Sequence, residues 1–124
     1  MTTETPSVML VDDDIHSREI FRMLMEHCHV SHAITETATE GIEYLKDHSP
    51  DIVIIDLVLP DISGFDALDI ARRITDPGRC LILATTAFYT METGHAVLAH
   101  GFDGYVPKPF VRESFLPYVE CMGA

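Results

Sequence analysis

Four aspartates stand where apolar runs give out: Asp12, Asp13 and Asp14 follow Val8-Met9-Leu10-Val11, and Asp56 follows Ile52-Val53-Ile54-Ile55. Carboxylates bind hard metal ions, and an aspartate with an ordinary pKa near ~3.9 is already ionised at neutral pH, so it can attack phosphorus without a general base. Charge is the obstacle. Two unit charges about 4 Å apart repel by roughly 4 kcal/mol at an effective dielectric of ~20, and an incoming phosphoryl group adds more negative charge. A divalent cation held by Asp12, Asp13 and Asp56 removes that obstacle, and Mg²⁺, which takes about six oxygens while keeping several waters, suits a partial shell of carboxylates. Two further polar groups close later runs. Thr86 offers a hydroxyl in Ala84-Thr85-Thr86-Ala87, and Lys108 offers a cation in Gly104-Tyr105-Val106-Pro107-Lys108-Pro109-Phe110. Such groups serve phosphoryl-transfer sites, where positioning and electrostatics dominate. Thr85 leaves a one-residue ambiguity, and the small Ala87 favours Thr86.

For these groups to meet, their segments must share one edge of a sheet. In an open parallel α/β sheet, ligands bind beyond the carboxyl ends of the strands, which lets residues far apart in sequence converge. The chain alternates short β-branched runs with helical periods, the pattern of β/α units. Strands are expected over residues 8–11, 30–34, 52–55, 80–84 and 104–106, with helices over 15–27, 39–47, 64–74, 90–100 and about 111–122. In the first helix Ile20, Met23, Leu24 and His27 form an apolar stripe, and Asp14 is its expected N-cap. In the third, Phe65, Leu68 and Ala71-Arg72 share a face, and Asp76-Pro77-Gly78 ends it. Gly41 and Gly94 weaken their helices, and Pro117 is expected to delay or kink the last one.

Composition narrows the class. At 124 residues the chain fits one domain, read as 8–124 behind a flexible tail of 1–7. Cys28, Cys80 and Cys121 are odd in number and widely spaced, which suits reduced packing thiols rather than a disulfide framework. His27-Cys28-His29 with His32 matches no zinc spacing. Met9, Met23, Met25, Met91 and Met122 read as core or interface filler. No apolar run approaches a membrane span, so a soluble, cytoplasmic protein is expected. Eight Lys plus Arg against twenty Asp plus Glu give a net charge of -12 without a basic stripe, which argues against direct nucleic-acid binding.

From Val8 to about Met122 the chain resembles the receiver domains of two-component response regulators, on the strings Asp12-Asp13, IIDLVLPDISG around Asp56, Thr86 and KPF from Lys108. The resemblance implies a doubly wound, three-layer α/β/α fold with a five-stranded parallel sheet in the flavodoxin-like order 2-1-3-4-5. It also implies roles. Asp56 accepts a phosphoryl group from a histidine kinase or histidine phosphotransfer protein. Asp12, Asp13, Asp56 and the Val58 carbonyl hold Mg²⁺ or Mn²⁺, while Thr86 and Lys108 contact the phosphoryl oxygens. Thr86 and Tyr105 switch the surface of the fourth helix, fifth strand and fifth helix for a downstream protein target. The Lys108-Pro109 bond is expected to be cis. Such a protein is more a switch than an enzyme, acting as a monomer or weak dimer.

The alternative is an interaction module of the same fold whose output ignores phosphorylation. A dehalogenase-type phosphatase needs a second acid two residues past the nucleophile, where Val58 stands. Val58 and Phe88, two past Asp56 and Thr86, are apolar where the family often has polar side chains that position water, so slow loss of the phosphoryl group is expected. The chain ends soon after Phe110, which leaves no room for an output domain and fits a stand-alone receiver or one excised from a larger protein.

Overall fold

The computed structural model describes residues 6–76, 78–88 and 90–119. Five β/α units follow one another: β1 (Val8–Val11), α1 (Ile15–His27), β2 (His32–Thr35), α2 (Ala38–Asp47), β3 (Ile52–Asp56), α3 (Gly64–Ile74), β4 (Leu81–Thr85), α4 (Met91–His100), β5 (Gly104–Tyr105) and α5 (Arg112–Phe115). All strands pair in parallel, in the order β2-β1-β3-β4-β5. This is the doubly wound order expected.

Alternation along the strands divides the core between the two faces of the sheet. Met9, Val11, Val53, Ile55, Ile82 and Ala84 pack with Leu45, Leu68 and Val97 of α2, α3 and α4. Val8, Leu10, Ile52, Ile54 and Leu83 pack with Phe21 and Met25 of α1 and with Phe115 of α5. Because both faces are covered, the central strands read as continuous apolar runs. Register then sets the site. Val11 pairs with Ile55 and Asp56 with Thr85, so the residues that follow these positions emerge side by side at one sheet edge.

Helix starts follow capping chemistry. Asp14, Thr37, Ser63 and Thr90 each accept the amide three residues on, so α2 and α4 begin one residue away from the expected positions 39 and 90. Gly41 lets α2 lie on the sheet: a Cβ there would come within 2.8 Å of Val11 Cγ2.

Several expectations are corrected. Of the expected stripe on α1, Ile20 and Leu24 pack half-buried against the core, but Met23 is 65% exposed and His27 exposed, and the fully buried residues are Ser17, Phe21 and Met25. Apolar residues stand on two faces of this helix, and Met23 lies some 200° around the axis from Phe21. Met91 is likewise exposed, while Met9 and Met25 are core. β2 starts at His32 instead of residue 30, because the chain first turns at the end of α1: Val30 N donates to Met25 O and His29 N to Glu26 O, with His29 in the left-handed region at φ 55°. α5 has only residues Arg112–Phe115 before a turn, since Pro117 has no amide and its ring crowds the carbonyl one turn back. Residues 1–5 of the expected tail lie outside the described residues, and Ser7 at its end exchanges hydrogen bonds with Asp51. Cys121 and Met122 lie outside the described residues.

Candidate functional site

The four strand-end segments converge. Asp12, fully buried, has Oδ1 accepting from the Asp14 amide at 2.9 Å and Oδ2 2.8 Å from Lys108 Nζ. Asp56, 5% exposed, has Oδ1 accepting from the Val58 amide at 2.9 Å and Oδ2 accepting from the same Nζ at 2.8 Å. Asp13 is exposed on the rim, and one carboxylate oxygen each from Asp12, Asp13 and Asp56 lie within 4.8 Å of one another. Lys108 reaches in from the loop after β5 across a cis Lys108-Pro109 bond, its side chain 8% exposed.

Thr85 and Thr86 differ in direction. Thr85 Oγ1 turns away and donates to Val106 O at 2.6 Å, whereas Thr86 Oγ1 accepts from the Phe88 amide at 3.2 Å beside a cavity of about 200 Å³. Asp13, Asp56, Val58, Ala87, Phe88 and Lys108 line that cavity with Thr86. Larger clefts lie by His48 and Arg79 and by Phe65 and Ala96, away from the strand-end acids, and a third adjoins the cavity on the far side of Lys108, beside Asp14 and Ile20. Tyr105 is half-buried against the core face of α2, α3 and α4, and its hydroxyl donates to Thr86 O at 3.0 Å. Asp14 accepts from the Ser17 amide and hydroxyl, which lowers its pKa and makes it the cap of α1.

The response regulator receiver domain model matches residues 8–120. The chain belongs to that family. Over 109 residues this receiver is 32% identical to the chemotaxis protein CheY of Halobacterium salinarum, covering 88% of the chain and 89% of the relative. It is 25% identical over 116 residues to the polar-differentiation response regulator DivK of Brucella ovis, covering 94% of each. In fold it is similar to a chain from the co-crystal structure of the Saccharomyces cerevisiae histidine phosphotransfer signaling protein Ypd1 with the receiver domain of Ssk1. That match has a TM-score of 0.79 at 20% identity, with 98% of this chain and 94% of the other covered.

Electrostatics give this receiver's edge a net negative charge. Burial raises the Asp12 carboxyl to about 6, with Asp56's charge adding to the rise and Lys108 and the Asp14 amide opposing it. Burial works against the Lys108 ammonium, but its close contacts with the Asp12 and Asp56 carboxylates win and its pKa is raised. By formal charge, three carboxylates against one ammonium leave two negative charges, the complement of a divalent cation. The donors fit one as well. All are hard oxygens, and Asp12 Oδ2, buried and in ionic contact with Lys108, has no hydrogen bond of good direction.

Two contributors escaped the sequence reading. Arg18 donates to the Asp12 carbonyl at 3.3 Å, and Asp61 accepts from Ala38 and Thr39 at the start of α2. Asp61's partners stand more than twenty positions away, so no local pattern announces them.

Proposed function

We propose that this receiver accepts a phosphoryl group on Asp56 from the phosphohistidine of a histidine kinase or histidine phosphotransfer protein, and thereby changes the α4–β5–α5 surface for a protein target. The observation that carries the reading is the convergence of Asp12, Asp13, Asp56, Thr86 and Lys108 at one sheet edge. A phosphotransfer partner is supported by the Ypd1 complex among the structural neighbours.

In the transfer, an Asp56 carboxylate oxygen forms a bond to phosphorus as the phosphorus–nitrogen bond of the donor breaks, and the electron pair returns to the imidazole. Mg²⁺ or Mn²⁺, held by Asp12, Asp13, Asp56 and the Val58 carbonyl, would neutralise the charge between nucleophile and phosphoryl group. Lys108, already on Asp56 Oδ2, supplies a fixed cation that needs no reorganisation as charge shifts. Thr86 accepts a hydrogen bond from Phe88, so its own proton is available to a phosphoryl oxygen. Movement of Thr86 toward that oxygen would pull the carbonyl that holds the Tyr105 hydroxyl, which carries the change to β5.

Labelling with acetyl phosphate tests this. Stoichiometric incorporation that needs Mg²⁺ and vanishes in Asp56→Asn supports the reading. No incorporation favours the phosphorylation-independent module instead, and equal incorporation in Asp56→Asn means that another residue is the acceptor.

A further inference from the structure

The start of α2 and the turn before it reach both loops that carry the acids, one directly through Asp61 and the other by way of Arg18 of α1. Asp61, between β3 and α3, accepts from the Ala38 amide at 3.1 Å, the Thr39 amide at 2.9 Å and the Thr39 hydroxyl at 2.7 Å. From the other side Arg18 donates to the Asp12 carbonyl and lies 3.5 Å from Glu36. α2 already has its own cap in Thr37, so Asp61 is a second acceptor brought from a distant loop.

That loop needs a restraint. Its ends are fixed, since Leu57 N donates to Thr85 O, Gly64 N donates to Leu57 O, and a Cβ at Gly64 would collide with Asp56 O. Val58 N is tied back to Asp56 Oδ1, and beyond it, among the described residues, the hydrogen bonds of Asp61 are those that tie the loop to a helix other than its own. First-turn amides carry partial positive charge, so an ionised carboxylate is the partner they favour.

We propose that Asp61, supported by Arg18, is a positioning residue: by clasping the start of α2 it holds residues 57–63 where Asp56 and the Val58 carbonyl can share a cation with Asp12 and Asp13. This rests on the reading of those residues as a cation site. Coupling is reciprocal, so whatever the clasp adds to cation affinity, the cation adds to the clasp.

Amide hydrogen exchange and Mg²⁺ titration calorimetry test it on the full chain. Mg²⁺ is expected to slow exchange at Ala38 and Thr39 about fivefold or more relative to the distant Thr75 amide, and Asp61→Ala to weaken Mg²⁺ binding by a similar factor. Asp61→Asn keeps an acceptor oxygen and loses less. Arg72→Ala is the stability control. Arg72 binds Gly101 O and Asp103 away from the site, so its loss lowers thermal stability without moving the Mg²⁺ Kd. Unchanged Ala38 and Thr39 exchange in a wild type that binds Mg²⁺, or an Asp61→Ala Kd within about twofold of it, overturns the proposal. A wild type that binds no Mg²⁺ overturns the cation-site reading as well, and so is told apart from a failure of Asp61 alone.

Discussion

Lys108 and Asp12 show why a buried acidic edge can exist before any cation arrives. One ammonium serves two carboxylates at 2.8 Å each, while burial keeps a proton on Asp12 further up the pH scale than usual. The sign of the consequence follows. In the unfolded chain Asp12 loses its proton near 3.8, and in the folded protein near 6, so between these values the folded state binds more protons. In chelator this group's stabilisation is present below 3.8 and is lost as pH rises through 6. The unfolding free energy of wild type minus that of Asp12→Asn should therefore fall over that window, and a flat difference would remove the assignment. Val58 and Phe88 are 64% and 78% exposed beside the cavity, and neither side chain can position a water. The Val58→Asn, Phe88→Glu variant should lose its phosphoryl group faster than wild type, read from the decay of labelled protein. Equal lifetimes would contradict the role given to these two positions.

At the scale of elements, helix ends explain both what was readable and what was not. Caps announce themselves locally, which is why Asp14 was legible as the start of α1. The end of α1 was not, because His29 adopts the left-handed conformation that glycine takes at Gly101, where α4 closes with the same pair of hydrogen bonds. A non-glycine residue there is strained, so His29→Gly should stabilise the fold by about 1 kcal/mol in chemical denaturation. A loss of stability would mean that the His29 side chain contributes more than its backbone costs. Half of the stripe expected on α1, Ile20 and Leu24, packs inward, while Met23 and His27 face out for a related reason. Helical spacing fits two sets of apolar residues, and only packing against Phe110 and Phe115 selects Phe21 over Met23. The candidate site itself was far more legible than these boundaries. Its residues close apolar runs, and parallel pairing brings such positions to one edge whatever the exact strand limits.

For the whole molecule, charge sets the terms of stability. The chain carries -12 overall, and the acids gathered at the sheet edge add local repulsion that a bound cation relieves. Anything that binds only the folded state stabilises it, so Mg²⁺ at ten times its Kd should contribute about 1.4 kcal/mol, a rise of roughly 5 °C in Tm. Asp13→Ala should remove most of that rise while leaving Tm in chelator nearly unchanged, because Asp13 is exposed. A full rise in this variant would take Asp13 out of the cation site. Among the described residues no helix is long and apolar enough to cross a membrane. The contacts that sequence could not reveal at this scale, Asp61 on α2 and Arg18 on Asp12, join elements through backbone groups that carry no side-chain signature.

The most direct test of the central claim is the location of the phosphoryl group. Wild-type protein treated with acetyl phosphate and Mg²⁺, digested and mapped by mass spectrometry, should carry one phosphoryl group on the peptide containing Asp56. A label on Asp12 or Asp13, or on no aspartate at all, would contradict it.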